Sequence, residues 1–257
     1  PDYIDAGWLA LAAGRPCYNL DTFLTPVDLV LTSFYSHSLD TDLSVIEGNR
    51  GLYDGIDLEG TTSTAELAKL LLAPVILCID CTKSTRTIAA VVLGCIHFDR
   101  KVDIKGVILN RVAGARHENI LKRSIEYHTG ISVLGSVPRL ARQSFPERHM
   151  GLIPTPEHKW AAVSIAAAAE MAIKYIDLDK LVQTAFAAPG LPAAGSAVEI
   201  SEKKDADPET VFKIKPRIGI MRDSAFQFYY QENIDALTSE GAELVYTSPL
   251  SDKTIPE

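Results

Sequence analysis

Short unbroken apolar runs recur along the first half of the chain, each closed by a polar or glycine-marked turn and followed by a stretch with helical spacing. The runs Val27 to Thr32, Leu43 to Ile46, Val75 to Ile79, Gly106 to Leu109 and Ile131 to Val137 predict strands. Thr64 to Leu72, Ser84 to Phe98 and His117 to His128 predict helices. Strands covered on both faces by helices read as continuous Val, Ile and Leu rather than as alternation. The pattern therefore predicts an α/β fold with a doubly wound, mostly parallel sheet.

From Lys159 to about Ala187 an Ala-rich amphipathic stretch predicts one long helix, or two broken near Asp177. The composition then changes. Ala188 to Pro216, with Pro-Gly, Pro-Ala-Ala-Gly-Ser and a charged run, reads as an exposed linker. Beyond it Arg217 to Met221 predicts a strand, Gln231 to Glu240 a helix and Glu243 to Thr247 a second strand. One β-α-β unit cannot bury both faces of a sheet, so residues 217–257 read as the beginning of another domain, and residues 1–187 as the first.

The 257 residues are 47% hydrophobic and 23% charged, ordinary for a globular protein. The longest apolar run, Leu70 to Ile79, is too short to span a bilayer, and no membrane segment is expected. No charged-then-apolar leader opens the chain, so a cytoplasmic location is expected. The net charge of -8 argues against a nucleic-acid groove. Any anionic ligand must be met locally, and Arg50, Lys83, Arg86, Arg111, Arg142 and Arg148 are the cations near the motifs. Cys17, Cys78, Cys81 and Cys95 show no disulfide spacing. Cys78 and Cys81 end an apolar run, where small soft side chains pack well.

In a doubly wound sheet ligands bind at the carboxyl ends of strands. Leu43 to Ile46 runs into Glu47-Gly48-Asn49-Arg50-Gly51-Leu52-Tyr53-Asp54-Gly55, and Val75 to Ile79 ends at Asp80. A carboxylate at such a place suits hydrated Mg2+, which takes one or two carboxylates plus phosphate oxygens, so Glu47 and Asp80 are the metal candidates. Asp80 or Asp54 could equally cap a turn or helix. No glycine in the chain is followed by lysine, so no G-x-x-x-x-G-K-[ST] phosphate loop is present. Because the chain opens inside a motif, such a loop is expected before residue 1.

Several ordered motifs resemble the cobyrinic acid a,c-diamide synthases. They are Pro1-Asp2-Tyr3-Ile4-Asp5, Ala12-Ala13-Gly14-Arg15-Pro16, Glu47-Gly48 through Asp54-Gly55, and Gly106-Val107-Ile108-Leu109-Asn110-Arg111-Val112. Arg148-His149-Met150-Gly151-Leu152 continues the series, and Ala225 to Tyr230 is similar to the start of that family's class I glutaminase domain. The resemblance implies an ATP-dependent amidoligase whose first domain is P-loop NTPase-like, similar to dethiobiotin synthetase. It further implies ammonia from glutamine, a corrinoid or related tetrapyrrole carboxylate as substrate, and ATP with Mg2+. It assigns Glu47 and Asp80 to the metal, Asp54 and Asp5 to catalysis, Asp2, Tyr3 and Arg50 to substrate, and Asn110 and Arg111 to the nucleotide.

The resemblance also sets limits. The chain reads as truncated at both ends, without a phosphate loop and, since none of its cysteines follows the linker, without the glutaminase nucleophile. The segment alone is expected to be inactive. Nickel sirohydrochlorin or hydrogenobyrinic acid stands as an alternative substrate, and a non-catalytic nucleotide-sensing module as an alternative of another class. The oligomeric state, a homodimer included, stays open.

Overall fold

A computed structural model describes residues 3–139, 147–148, 151–152, 154–155, 160–190 and 215–254. Most of the expected linker lies outside the described residues. By compactness the chain divides into two units that are not contiguous in sequence. One takes residues 1–20, 144–166 and 198–257, and the other residues 21–143 and 167–197.

The larger unit is built on three parallel strands in chain order, β1 (Val75–Asp80), β2 (Ile104–Val112) and β3 (Ser132–Pro138). Helices α4 (Arg86–Phe98) and α5 (Ala115–Thr129) are the crossovers. Right-handed crossovers between successive neighbouring strands put both helices on one face, and α4 and α5 pack side by side. Each buries one stripe, Ile88, Ala89 and Val92 from α4 and Leu121 and Ile125 from α5. Beneath them Val107 and Leu109 of β2 have no exposed surface. Gly106 lets the strands close on this core, since a Cβ there would stand 2.4 Å from Leu134 Cδ1 and 3.3 Å from Ile76 Cδ1.

Two short helices complete the unit's frame. Ser63 caps α3 (Thr64–Leu70) by accepting the Glu66 N–H at 3.4 Å. The expected break near Asp177 has a clear cause. After α6 (Ala161–Tyr175) the chain bridges β3 at Ile176 and Gly135, and Asp177 N–H donates to the Leu134 carbonyl at 2.7 Å. Asp177 then caps α7 (Leu178–Phe186) through Lys180 N–H.

Two expected strands are absent. Val27 to Thr32 is the first half of α2 (Val27–Ser38). Its apolar residues Val27, Val30, Leu31 and Phe34 also satisfy helical spacing. Pro26, at φ −56°, supplies a pre-set entry, and Asp28 lies in the first turn, where a negative charge suits the helix dipole. Leu43 to Ile46 is extended but pairs with no strand among the described residues, and Val45 is 85% exposed. Apolar content there does not report burial, because nothing in the described residues covers it.

The smaller unit holds α1 (Ile4–Ala13), the two-residue antiparallel pair β4 (Glu147–Arg148) and β5 (Gly151–Leu152), and a β-α-β tail. The tail is β6 (Arg217–Met221), α8 (Gln231–Ser239) and β7 (Glu243–Thr247), with β6 and β7 parallel. The tail matches its expected elements to within one residue. Helix α1 was not expected; it ends at Gly14, whose φ of 63° is the left-handed conformation glycine adopts without penalty. The segment after it is tied to α8. Tyr18 hydroxyl donates to Asp235 Oδ2 at 3.0 Å and Asn19 N–H to Glu232 Oε1 at 2.8 Å. Burial, with the hydrogen bond to Asp235, pushes the Tyr18 phenol up to about 12, so it stays a donor throughout the physiological range.

Leu109→Ala should cost about 2–5 kcal/mol, because a buried methyl cluster is lost and the strand above cannot collapse fully. Tyr127→Ala, at 85% exposed, should change stability by less than about 0.5 kcal/mol. Urea unfolding of the two variants checks the contrast; equal effects would mean that β2 is not the centre of the core.

Candidate functional site

The ladder between β1 and β2 places Asp80 directly opposite Asn110, at the carboxyl edge of the sheet. Cys81 N–H donates to the Asn110 carbonyl at 2.9 Å and locks this register. Asp80 Oδ1 accepts the Thr82 N–H at 2.8 Å, and Oδ2 accepts Arg111 Nη1 at 3.0 Å. Hydrogen bonds from Thr82 foremost, and then the Arg111 charge, hold the Asp80 carboxyl below the usual aspartate range. Asn110 Oδ1 accepts the Arg111 N–H at 2.8 Å. Its second lone pair and its NH2 group remain for a ligand edge that offers both a donor and an acceptor.

A residue that sequence reasoning missed joins the loops behind this edge. His117 Nδ1 accepts the Ala113 N–H at 3.0 Å, and its Nε2 reaches the Ser84 carbonyl at 2.5 Å. The two contacts require the neutral ring protonated on Nε2. His117 thus clips the turn between β1 and α4 to the turn between β2 and α5. Its only sequence signal was a histidine in the first turn of a helix that follows a strand end.

Glu47, Arg50 and Asp54 share the loop running to Gly60. That loop is pinned at several points: Ala65 N–H donates to the Leu52 carbonyl at 2.9 Å, and Tyr53 hydroxyl to the Cys95 carbonyl at 2.5 Å. Gly55 lies against Gly60 so closely that a Cβ would stand 2.6 Å from its backbone. Asp54 is exposed, and its Oδ2 accepts the Gly51 N–H at 3.1 Å, so the turn-capping role is present in the structure. Glu47 is exposed and ends no strand. Arg50 takes φ 61°, Lys83 φ 55° and Arg111 φ 58°, left-handed conformations unusual for side chains of this size.

The remaining sequence-selected residues belong to the smaller unit. Tyr3 stacks on Tyr230 with ring centroids 4.5 Å apart and meets Phe228 at 5.5 Å. It lines a cavity of about 620 Å³, whereas Asp5, half-buried on α1, does not. Asp2 lies outside the described residues. Arg222, which the sequence reading passed over, lines the same cavity just past the carboxyl end of β6. The strand-end rule applied to the first sheet would have found it.

A family profile described as an AAA domain matches residues 21–147, the span that holds β1, β2, β3 and their helices. Cobyrinate a,c-diamide synthases of Magnetococcus marinus, Dehalococcoides mccartyi and Archaeoglobus fulgidus align with the whole chain at 42%, 40% and 40% identity. The chain is similar along its whole length to the cobyrinate a,c-diamide synthases. It spans about half the length of these curated relatives, 54% of each. The open parallel sheet and the AAA domain match together give it the doubly wound α/β fold that its apolar runs predicted and the P-loop NTPase likeness that the resemblance implied.

Against this cobyrinate a,c-diamide synthase likeness the metal candidates can be judged by their surroundings. Among the described residues no group of three or more His, Cys, Asp or Glu side chains is placed to hold an ion. Mg2+ asks less, one or two carboxylates with waters and phosphate making up the rest. Glu47 and Asp80 offer hard oxygen donors of the right kind, but Asp80 already faces an arginine. A metal at Asp80 would have to share the carboxylate with Arg111 or displace it. Cys81 has no exposed surface, and burial pushes its thiol upward, so it packs as an apolar group, whereas Cys78 is exposed on the strand.

A carboxyl-carbon NMR titration should find Asp80 still ionised at a pH where ordinary aspartates are half protonated. Its folded pKa is depressed, so its contribution to stability is present above the unfolded value and is lost as pH falls through the folded one. Arg111→Gln should move the midpoint upward. An unchanged midpoint in that variant would mean the ion pair does not form in solution.

Proposed function

We propose that this chain forms most of the synthetase half of an ATP- and glutamine-dependent amidoligase acting on the ring carboxylates of cobyrinic acid, and that residues 217–257 open its glutaminase domain after a linker over 188–216. The observation that carries the reading is the meeting of Asp80, Asn110 and Arg111 on one strand edge, inside the AAA domain match. The likeness along the whole chain to cobyrinate a,c-diamide synthases supports cobyrinic acid as the substrate. A soluble cytoplasmic enzyme is consistent with a chain in which no described helix is long and apolar enough to cross a membrane.

In this proposal a ring carboxylate, a poor electrophile, attacks the terminal phosphorus of ATP through an oxygen, the bond from that phosphorus to the bridging oxygen breaks, and ADP leaves as the acyl phosphate forms. The acyl phosphate then loses phosphate to ammonia, leaving the amide. Such chemistry asks the protein mainly for positioning and for neutralisation of charge. Asn110 reads the adenine edge with its amide donor and remaining acceptor, and Arg111 lies beside it to offset phosphate charge. Asp54 orients the reacting carboxylate from a loop whose backbone is fixed at Leu52, Tyr53 and Gly55. Arg50, Asp2, Tyr3 and Asp5 serve the substrate. Bound Mg2+, held by Glu47 with Asp80, would screen the phosphate oxygens. Within these 257 residues no lysine follows a glycine and no cysteine follows Cys95, so the segment by itself is expected to turn over neither ATP nor glutamine.

The deciding experiment supplies the protein that contains this chain with ATP, Mg2+, glutamine and, separately, cobyrinic acid, hydrogenobyrinic acid and nickel sirohydrochlorin, and reads the products by mass spectrometry. Cobyrinic acid should acquire amides at its a and c arms. Asp54→Asn, which keeps an acceptor for Gly51, should lower kcat by about 10² to 10⁴. Unimpaired amidation in that variant would remove Asp54 from the chemistry. Nucleotide binding without amidation of any macrocycle would turn the reading toward a sensor module.

A further inference from the structure

The cavity of about 620 Å³ in the smaller unit is of a size to take a small organic ligand. One wall is a stripe of α1, Ala6, Ala10 and Gly14, whose small side chains let a flat body lie against the helix. Tyr3 and Phe228 add aromatic surface. Facing them is the loop that leaves β6 at the carboxyl end of its parallel pair with β7, the edge at which open parallel sheets take ligands.

That loop is built before any ligand arrives. Asp223 Oδ1 accepts the Ala225 and Phe226 N–H groups at 2.8 and 2.9 Å, and Oδ2 accepts the Ser248 hydroxyl at 3.0 Å and the Leu250 N–H at 3.3 Å. Both oxygens of Asp223, the one carboxylate in the lining among the described residues, are thus committed to the loop. Tyr229 hydroxyl closes it on the Met221 carbonyl at 2.6 Å.

The cationic side is different. Arg222 makes no side-chain hydrogen bond or ion pair among the described residues; its guanidinium rests 5.7 Å from the centre of the Tyr246 ring. A ring face holds arginine far less firmly than a carboxylate does, and the planar guanidinium matches a carboxylate through two parallel hydrogen bonds. Arg15 lines the same space. In a chain of net charge -8, a cavity with two arginines and a spent carboxylate selects an anion. Its aromatic and small-residue walls select an anion that carries an apolar body.

We propose that Arg222, with Arg15, receives a carboxylate arm of the macrocyclic substrate, and so orients the ring by a group other than the one activated. The inference rests on the function proposed above. Binding energy from such a remote arm is what an enzyme spends on positioning the reacting one.

The test titrates the 257-residue chain with cobyrinic acid and follows the macrocycle's visible absorption. The unaltered chain should saturate, Arg222→Gln should bind about tenfold to a hundredfold more weakly, and Arg222→Lys should fall between. Cobinamide, whose arms are all amides, should bind weakly and with no difference between the unaltered chain and Arg222→Gln. Equal cobyrinic acid affinity in the two proteins, or no binding by the unaltered chain, overturns the proposal. A loss that is the same for cobinamide also overturns it, because Arg222 would then shape the loop rather than read charge. Amidation by the complete protein with an unchanged KM in Arg222→Gln would sink this inference and leave the functional reading standing.

Discussion

The parallel pairing of β1 with β2 is the constraint on which the candidate site depends. Two strands in register have their ends at one level, and here that level carries Asp80 on one strand and Asn110 on the next. The backbone bond from Cys81 to the Asn110 carbonyl fixes the match, and the Arg111 to Asp80 pair closes it from above. Packing makes this register hard to alter. A slip of one residue would turn Val107 and Leu109, both without exposed surface, toward the wrong face. The core therefore holds the chemistry in place, and the polar edge adds little to the stability that it exploits.

The fold was legible wherever an apolar run met a covering helix. Val75 to Ile79, Gly106 to Leu109 and Ile131 to Val137 read correctly because each places Leu77, Val107, Leu109, Val133 or Leu134 in the core, and a short apolar run bounded by turns is the signature of a strand so placed. The same signature misled at Val27 to Thr32, where helical and strand periods fit equally well over six residues and Pro26 decided the outcome locally. At Leu43 to Ile46 the residues are apolar and extended, yet no described strand faces them. Periodicity reports what a side chain would prefer to meet, and only the structure tells whether it meets it. Helix α1 escaped notice for a related reason. Ile4 to Ala13 is so uniformly apolar and small that it has almost no polar face to mark its period.

Legibility of the site divides along the same line. Asp80 was selected as the end of a predicted strand, Asn110 through the family resemblance and Arg111 as a cation near the motifs, and the sheet brings the three together. Glu47 was chosen as the end of an expected strand that the structure does not form, so its candidacy rests on its loop and on the resemblance. Asp54 was a turn cap or a catalytic group on sequence grounds, and the bond from Gly51 shows that the first role does not exclude the second. His117 could not be singled out by spacing, because it matters through a turn far along the chain, whereas Arg222 directly follows a predicted strand and was within reach of the strand-end rule.

The backbone carries one more argument. Among the described residues four non-glycine positions have positive φ, and three of them, Arg50, Lys83 and Arg111, are cationic. Each left-handed residue costs roughly 1–2 kcal/mol that glycine would avoid. Arg50 lies in the loop after Glu47, Lys83 in the turn after β1, and Arg111 one residue beyond the Asp80 partner. A basic side chain kept where glycine would relax the backbone is there for its charge or for its direction, since its conformation is a cost. An acidic chain that must meet phosphates or carboxylates has reason to accept that cost at a few chosen points, and Arg50 and Arg111 are two that family likeness selects independently. The strain and the likeness converge on the same cations, which ties the proposed anion chemistry to features of this chain as well as to its relatives.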